Sequence, residues 1–267
     1  MKTHRNPWIL LLAMMSLPIF VFFSCSDDDT EPDSNVVTDI DGNVYRTVII
    51  GDQEWMAENL RVTRYNNEDD VTTGLSDEDW ENTTEGAYTI WPPVGGINSD
   101  EEAVAAYGKL YNWYAVDDAR GLCPEGWSVP SDADWSELVD YIMDEYGYHN
   151  DWESDDINGV GNALKSCRQV GSPLDGECYT STHPRWNSHD TNYGFDEFGF
   201  SALPGGGRFP SGVYYNIGDG GHWWSSSEAS SSNAWRSDVH GSLGNVHRYD
   251  VNKRHGISVR CFRQVKN

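Results

Sequence analysis

The residues able to do chemistry gather in the second half of the chain, and each group can be judged by the spacing its chemistry needs. Asp151, Glu153, Asp155, Asp156 and Asn158 bring five oxygen ligands close together, as a hard cation such as Ca2+ requires. The stretch lacks the spacing and central glycine of an EF-hand, so a solvated acidic loop is expected, with Ca2+ the one cofactor these residues could take. Six histidines follow: His183, His189, His222, His240, His247 and His255. No pair has the i, i+4 spacing that places two imidazoles on one helix face around zinc, and their segments read as loop or strand. The serine runs 225–227 and 230–232 are not a strained G-x-S-x-G elbow. Gly205-Gly206-Gly207 precedes neither a Lys-Ser/Thr pair nor a helix start, so it reads as a backbone turn that side chains would obstruct. No catalytic residue is expected.

Cysteine chemistry points to bridges. Beyond Cys25 the chain holds Cys123, Cys167, Cys178 and Cys261, none in a C-x-x-C spacing, and four cysteines allow three pairings. The preferred pairing is Cys123–Cys261 with Cys167–Cys178. The first would close a loop of more than a hundred residues, worth roughly 4–5 kcal/mol in the chain-entropy account.

Aromatic side chains carry the best binding argument. Phe, Trp and Tyr make up 13% of the chain, with 12 Trp and 14 Tyr, enough to build a core and leave rings over. Sugars present C–H faces that stack on indole and phenol rings, while amides and charged groups bond their hydroxyls. Trp186, Tyr214, Tyr215, Trp235 and Tyr249 stand in polar settings near Asn187, Asn216, Asn245 and Arg248. Of these, Trp186, Tyr214, Tyr215, Trp235, Asn245, Arg248 and Tyr249 are the candidate ligand contacts.

The elements that would hold these groups can be read in part. Val44–Ile50, the turn Gly51-Asp52 and Gln53–Met56 read as a β-hairpin. Residues 66–98 are acidic and punctuated by Gly and Pro, and read mostly as loop. Ser99 with Glu102 has capping-box spacing, followed by Tyr107, Leu110, Tyr111, Tyr114 and Ala115 at helical spacing. A second helix starts at Ser131, with Trp135, Leu138, Val139, Ile142 and Met143 on one face. After an irregular stretch to Asn192 come short strands: Phe198–Leu203, His222–Ser226, Ala234–Asp238, Asn245–Val251 and Ile257–Arg263. In the last of these, Ile257, Val259 and Cys261 share one side. Helices early and strands late indicate an α+β domain.

The N-terminus reads as an address rather than part of the body. Lys2, His4 and Arg5 precede an apolar run from Trp8 to Phe23, which ends at Ser24-Cys25. This is the order of a secretory signal, residues 1–24, with a cysteine at the cut point as in a relaxed lipoprotein box. Cys25 is thus the expected lipidation site and the membrane the expected partner. Residues 25–38 are polar and acidic and read as a disordered tether. The Ser-plus-acid run after Cys25 further suggests the outer face of an outer membrane. Residues 39–267 are expected to form one domain. With 43 acidic against 18 basic side chains and a net charge of −25, the chain lacks the clustered cations that phosphate contacts need, so nucleic acid is excluded as a partner.

Six segments in order resemble the Fibrobacter succinogenes major paralogous domain over about residues 39–264: Trp55–Leu60, Tyr107–Tyr114, Leu122–Ser131, Gly199–Gly206, Trp223–Glu228 and Ser258–Cys261. The resemblance implies a C-type-lectin-like fold, two helices flanking a small twisted antiparallel sheet with long loops. It supports the link between Cys123 and Cys261, and implies an exported binding protein for glycan or cell-surface ligands. A structural or adhesive component that binds another protein is the alternative. The Glu-Pro-Asn or Gln-Pro-Asp loop and the Trp-Asn-Asp strand of sugar-binding C-type lectins are absent, so calcium-bridged sugar binding at that site is not expected. Formylglycine-generating enzymes, related in fold, use reactive cysteines; here a structural bridge accounts better for Cys261.

Overall fold

The β-branched run Val44–Ile50, the turn at Gly51 and the wholly buried Gln53–Met56 form the first hairpin, and much of the architecture grows from it. The computed structural model describes residues 35–151 and 157–265. Strands β1 (Val36–Thr38), β2 (Val44–Ile50) and β3 (Gln53–Met56) are joined by the C-terminal strand β11 (Phe262–Gln264) in a four-stranded antiparallel sheet of order β1-β2-β3-β11. The expected tether therefore ends earlier than residue 38, because Val36–Thr38 pair in register with Val44–Arg46. Residues 1–34, including Cys25 and the acidic run, lie outside the described residues.

The middle of the chain contributes helices α1 (Asp77–Asn82), α2 (Asp100–Tyr107), α3 (Trp113–Val116), α4 (Asp132–Tyr146) and α5 (Val160–Leu164). Strands β4 (Tyr88–Thr89) and β5 (Leu110–Tyr111) pair with each other. The late strands form two further antiparallel sheets. β6 (Gly205–Arg208) pairs with β7 (Tyr214–Ile217), and β8 (Gly220–Glu228), β9 (Asn233–His240) and β10 (Val246–Asn252) form a sheet of order β10-β9-β8.

This corrects the expected fold class. Among the described residues, eleven strands in four antiparallel sheets dominate. Of the five helices only α4, with 15 residues, exceeds eight. Two helices flanking one small sheet, the C-type-lectin-like arrangement, is not what forms, and the domain is mostly β. The expected first helix shows why. Its cap Ser99 accepts from the Glu102 amide as the spacing predicts, but the helix stops at Gly108, whose φ is +73°. A Cβ there would lie 2.8 Å from both Asn59 Cβ and the Leu60 carbonyl oxygen. The close approach of the 59–60 backbone demands glycine, glycine ends the helix, and Leu110 and Tyr111 enter β5 instead.

The second helix forms as read, with the Ser131–Asp134 capping box and Trp135, Leu138, Val139 and Ile142 buried. In the 66–98 segment, Trp80, Tyr88 and Trp91 are buried anchors rather than loop decoration. Phe198–Leu203 makes no regular strand, although Phe200 and Ala202 are fully buried, and regular pairing near the C-terminus is confined to β11. The glycine run opens β6, where a Cβ on Gly206 would meet the Tyr215 carbonyl oxygen at 2.2 Å.

The resembling segments converge on one buried polar node. Asn59 Nδ2 donates to the Tyr107 carbonyl at 2.9 Å and to Ser258 Oγ at 3.2 Å. Its Oδ1 accepts from Trp223 Nε1 at 2.8 Å and from Arg260 Nη2 at 3.2 Å. Arg260 is fully buried, also donates to the Phe200 and Ser201 carbonyls, and lies over the Phe200 ring at 4.3 Å. Burial pushes its guanidinium down to about 9. Both disulfides form, Cys123–Cys261 and Cys167–Cys178, with Cα separations of 5.9 and 4.9 Å.

The bridges span 138 and 11 residues, so the chain-entropy account assigns them about 5 and about 3 kcal/mol. Urea denaturation of the Cys123→Ser/Cys261→Ser and Cys167→Ser/Cys178→Ser double variants is expected to show the larger loss for the first. Equal losses would mean that loop length does not govern their contribution.

Candidate functional site

Strand register, not helix spacing, assembles the chemistry of this chain. On β9, Arg236, Asp238 and His240 alternate with Ser237 and Val239, so the first three share one face. Antiparallel pairing sets His222 of β8 and His247 of β10 opposite Asp238, and Trp224 and Tyr249 opposite Arg236. The β6–β7 hairpin folds over this face and brings Tyr215 to 5.5 Å from the His222 ring. Ring contacts then run from His222 to His240 at 5.7 Å, from His240 to His247 at 5.8 Å, and from His247 to Tyr249 at 6.1 Å. The cavity between hairpin and sheet has a volume of about 270 Å³ and is lined by Asn216, His222, Arg236, Asp238, His240 and Tyr249 among others.

At its floor, Asp238 Oδ1 is 2.9 Å from His222 Nδ1 and Oδ2 is 2.8 Å from Arg236 Nη2, with the Asp238 and His222 side chains wholly buried. Both contacts have ion-pair distance but not the alignment of a hydrogen bond. The two carboxylate oxygens, both His222 nitrogens and Arg236 Nε are left without an aligned partner. Such buried polar atoms are few in folded proteins and call for a physical explanation. Arg236 Nη1 donates to Tyr215 Oη at 3.1 Å, which ties the hairpin to the sheet. Burial would lift the Asp238 carboxyl, but the His222 ring and the Arg236 guanidinium outweigh it and hold the carboxyl below its ordinary value. Burial pushes His240 down to about 4, against the opposing pull of Asp238, and pushes His255 behind Tyr215 to about 4 as well.

Support comes from behind the sheet. Lys165, just past α5, is fully buried and donates through Nζ to the carbonyls of Asn192, His240 and Leu243 at 2.8–3.0 Å. It thereby fixes the backbone of His240 and the turn into β10.

The expected ligand contacts divide between the two faces of this sheet and the core. Tyr215 and Tyr249 stand at the cavity, half-buried. Trp235 and Arg248 lie on the opposite face beside α4, with the guanidinium 3.3 Å above the indole and bonded to Asp132. Tyr214 packs against Trp91 and bonds Thr89 and the Ile90 carbonyl. Two expectations are corrected. Trp186 is 1% exposed and its Nε1 donates to the Ala202 carbonyl, so it is a core ring. Asn245 is 3% exposed and packs against the α5 start, with its amide bonded to the Asp151 carbonyl. Of the acidic stretch, Glu153, Asp155 and Asp156 lie outside the described residues. Asp151 and Asn158 are exposed, and the Asn158 carbonyl accepts from the His149 amide. Among the described residues no group of three or more His, Cys, Asp and Glu is arranged to hold a metal ion, and no helix is long and apolar enough to cross a membrane.

His222, Arg236, Asp238 and His240 were not candidates for binding. The signal was available as the period-two polar stripe of β9, but a search for helical histidine pairs passes over it. The cavity can bond hydroxyls through a guanidinium, a carboxylate and imidazoles, and can stack a ring on Tyr249.

Fold and site define a mostly β, disulfide-braced domain whose signature segments meet at a buried Asn–Arg node, with a polar, ring-lined cavity on one sheet. The chain belongs to the Fibrobacter succinogenes major domain family, whose model matches residues 48–263. No curated protein and no solved structure matches it.

The shifted histidines give a pH signature. Folded, His240 and His255 titrate at about 4, whereas in the unfolded chain they return to about 6.5. Between those values the unfolded state holds more protons, so stability rises with pH across this window and is lost on acidification from pH 6.5 to 4. The urea midpoint is expected to fall over that range, and His240→Gln/His255→Gln to flatten the decline. An unchanged slope in the double variant would assign it to other groups.

Proposed function

We propose that this protein is a surface-exposed outer-membrane lipoprotein, lipidated at Cys25, that acts as a non-catalytic binding module for a glycan. The observation that carries the binding reading is the Asp238–His222–Arg236 cluster at the floor of a cavity whose lining also includes His240 and Tyr249. A guanidinium, a carboxylate and imidazoles that meet at one cavity are the groups that bond a hydroxyl-rich ligand. The Tyr249 ring supplies a flat apolar face for the C–H side of a sugar. The leader, the cysteine at its end and the acidic run after it support export and tethering.

A protein ligand is the second reading. It is favoured by Phe209 and Val213, 41% and 60% exposed at the tip of the β6–β7 hairpin.

The test is a glycan-panel assay on the full chain in detergent, with fold checked by circular dichroism and bridges by thiol titration. Saturable binding is expected. Arg236→Ala should weaken it about tenfold or more, the size expected for losing a charge-assisted hydrogen bond, and Tyr249→Ala should weaken it severalfold through the lost stacking face. Trp235→Ala, on the other face, should leave it unchanged. Silence across a broad panel from folded protein would sink the glycan reading and shift attention to the hairpin tip.

A further inference from the structure

A second cleft, on a different part of the surface, has a chemistry of its own. It opens between β2, the segment after β3, the end of α2 and the chain at the Cys167–Cys178 bridge, and encloses about 350 Å³. Small-molecule sites run from about 300 to 1,000 Å³. Its lining departs from the rest of the chain in charge: Arg46, Arg61 and Arg168 face it, against Glu58, Glu177 and Asp196. Equal numbers of cations and anions are unusual in a chain with 18 basic and 43 acidic side chains.

Two of those carboxylates are already engaged within the protein. Glu58 accepts from Arg46 at 3.3 Å and from Arg61 at 3.2 Å. Asp196 accepts from the Ser201 amide at 2.6 Å, and burial raises its carboxyl above the ordinary value. The donors are less engaged. Among the described residues, Arg168 bonds through Nε alone, to the Pro184 carbonyl at 2.8 Å, so its two terminal nitrogens are open. Arg46 uses only Nε, and its side chain is 68% exposed. Ser166, also in the lining, is 3% exposed, and its hydroxyl finds no partner. With two of its three carboxylates engaged and only Glu177 exposed and without a partner among the described residues, a cleft that offers the open terminal nitrogens of Arg168 and an unpartnered hydroxyl can receive an oxyanion, and the planar fork matches a carboxylate.

We infer that this cleft is a binding site for a small carboxylate ligand of uronic-acid size, gripped by Arg168 and Arg46 with Ser166 as an additional donor. It is separate from the β8–β10 cavity and stands whether or not that cavity binds a glycan.

The test compares D-galacturonate with D-galactose, which share a ring and differ in carboxylate against hydroxymethyl, by calorimetric titration of the full chain in detergent. Galacturonate is expected to bind saturably and at least tenfold more tightly than galactose, with affinity falling as salt is raised. Arg168→Ala should lose tenfold or more and Arg168→Lys should keep part of the affinity, while Arg236→Ala in the other cavity should change nothing. Equal binding of the two sugars, absence of galacturonate binding, or an Arg168→Ala variant that binds as well as the parent would each overturn the inference. Loss of galacturonate binding in Arg236→Ala, with Arg168→Ala unaffected, would overturn it too, by moving the carboxylate to the sheet cavity.

Discussion

A guanidinium with no exposed surface governs how this chain can fold. Taking a charge out of water costs several kcal/mol unless its donors are met and its faces are covered. Arg260 approaches that condition, with both terminal nitrogens bonded and Nε left without a partner, only when four distant stretches arrive together. Asn59 comes from the end of the first hairpin, the carbonyls of Phe200 and Ser201 from the loop before β6, Trp223 from β8, and Arg260 itself precedes β11. Any partial assembly leaves a buried charge or a buried amide unmet. The same contacts set the path of β8 at Trp223, so the neighbouring His222 is delivered to the opposite side of the sheet. The Cys123–Cys261 bridge reinforces this arrangement one residue away, joining Cys123 to the residue between Arg260 and β11.

Much of this was legible in the sequence where local rules act alone. The hairpin over Val44–Met56, the capped helix from Ser131, the cores of β8, β9 and β10 and both disulfides follow from alternation, capping chemistry and the expected cysteine pairing. What could not be read depends on distant parts of the chain. Nothing near Tyr107 in sequence announces that Asn59 will press against Gly108, yet that contact ends α2 and turns an expected long helix into a strand and a single helical turn. Trp186 looks like a binding ring because its neighbours are polar, but its indole is enclosed by residues far along the chain. Conversely, the polar stripe of β9 is visible by inspection. It becomes a site only when register sets His222 and His247 on either side of Asp238, which no local pattern encodes.

The two cavities use charge in different ways. In the β8–β10 cavity a cation and an anion lie side by side in the interior, and the field they create is largely internal, suited to orienting neutral hydroxyls. In the cleft beside the Cys167–Cys178 bridge two of the three carboxylates are engaged while guanidinium tips of Arg168 and Arg46 remain available, so the positive groups are the ones turned outward. An acidic protein repels anions over most of its surface, and a confined positive site is the arrangement that lets one anion approach a chosen place.

A row of side chains spelled by strand register also limits how this site can diversify across generations. Substitution can change its members one at a time, but a single-residue insertion within β9 would turn every residue beyond it to the other face and scatter His222, Asp238 and His247. Length variation has a safer outlet in the exposed turn Ser230–Ser232, at the end of the sheet away from this row. Point changes within strands of fixed length therefore alter the lining of the cavity without moving its other members, and added length at the 230–232 turn leaves the row intact.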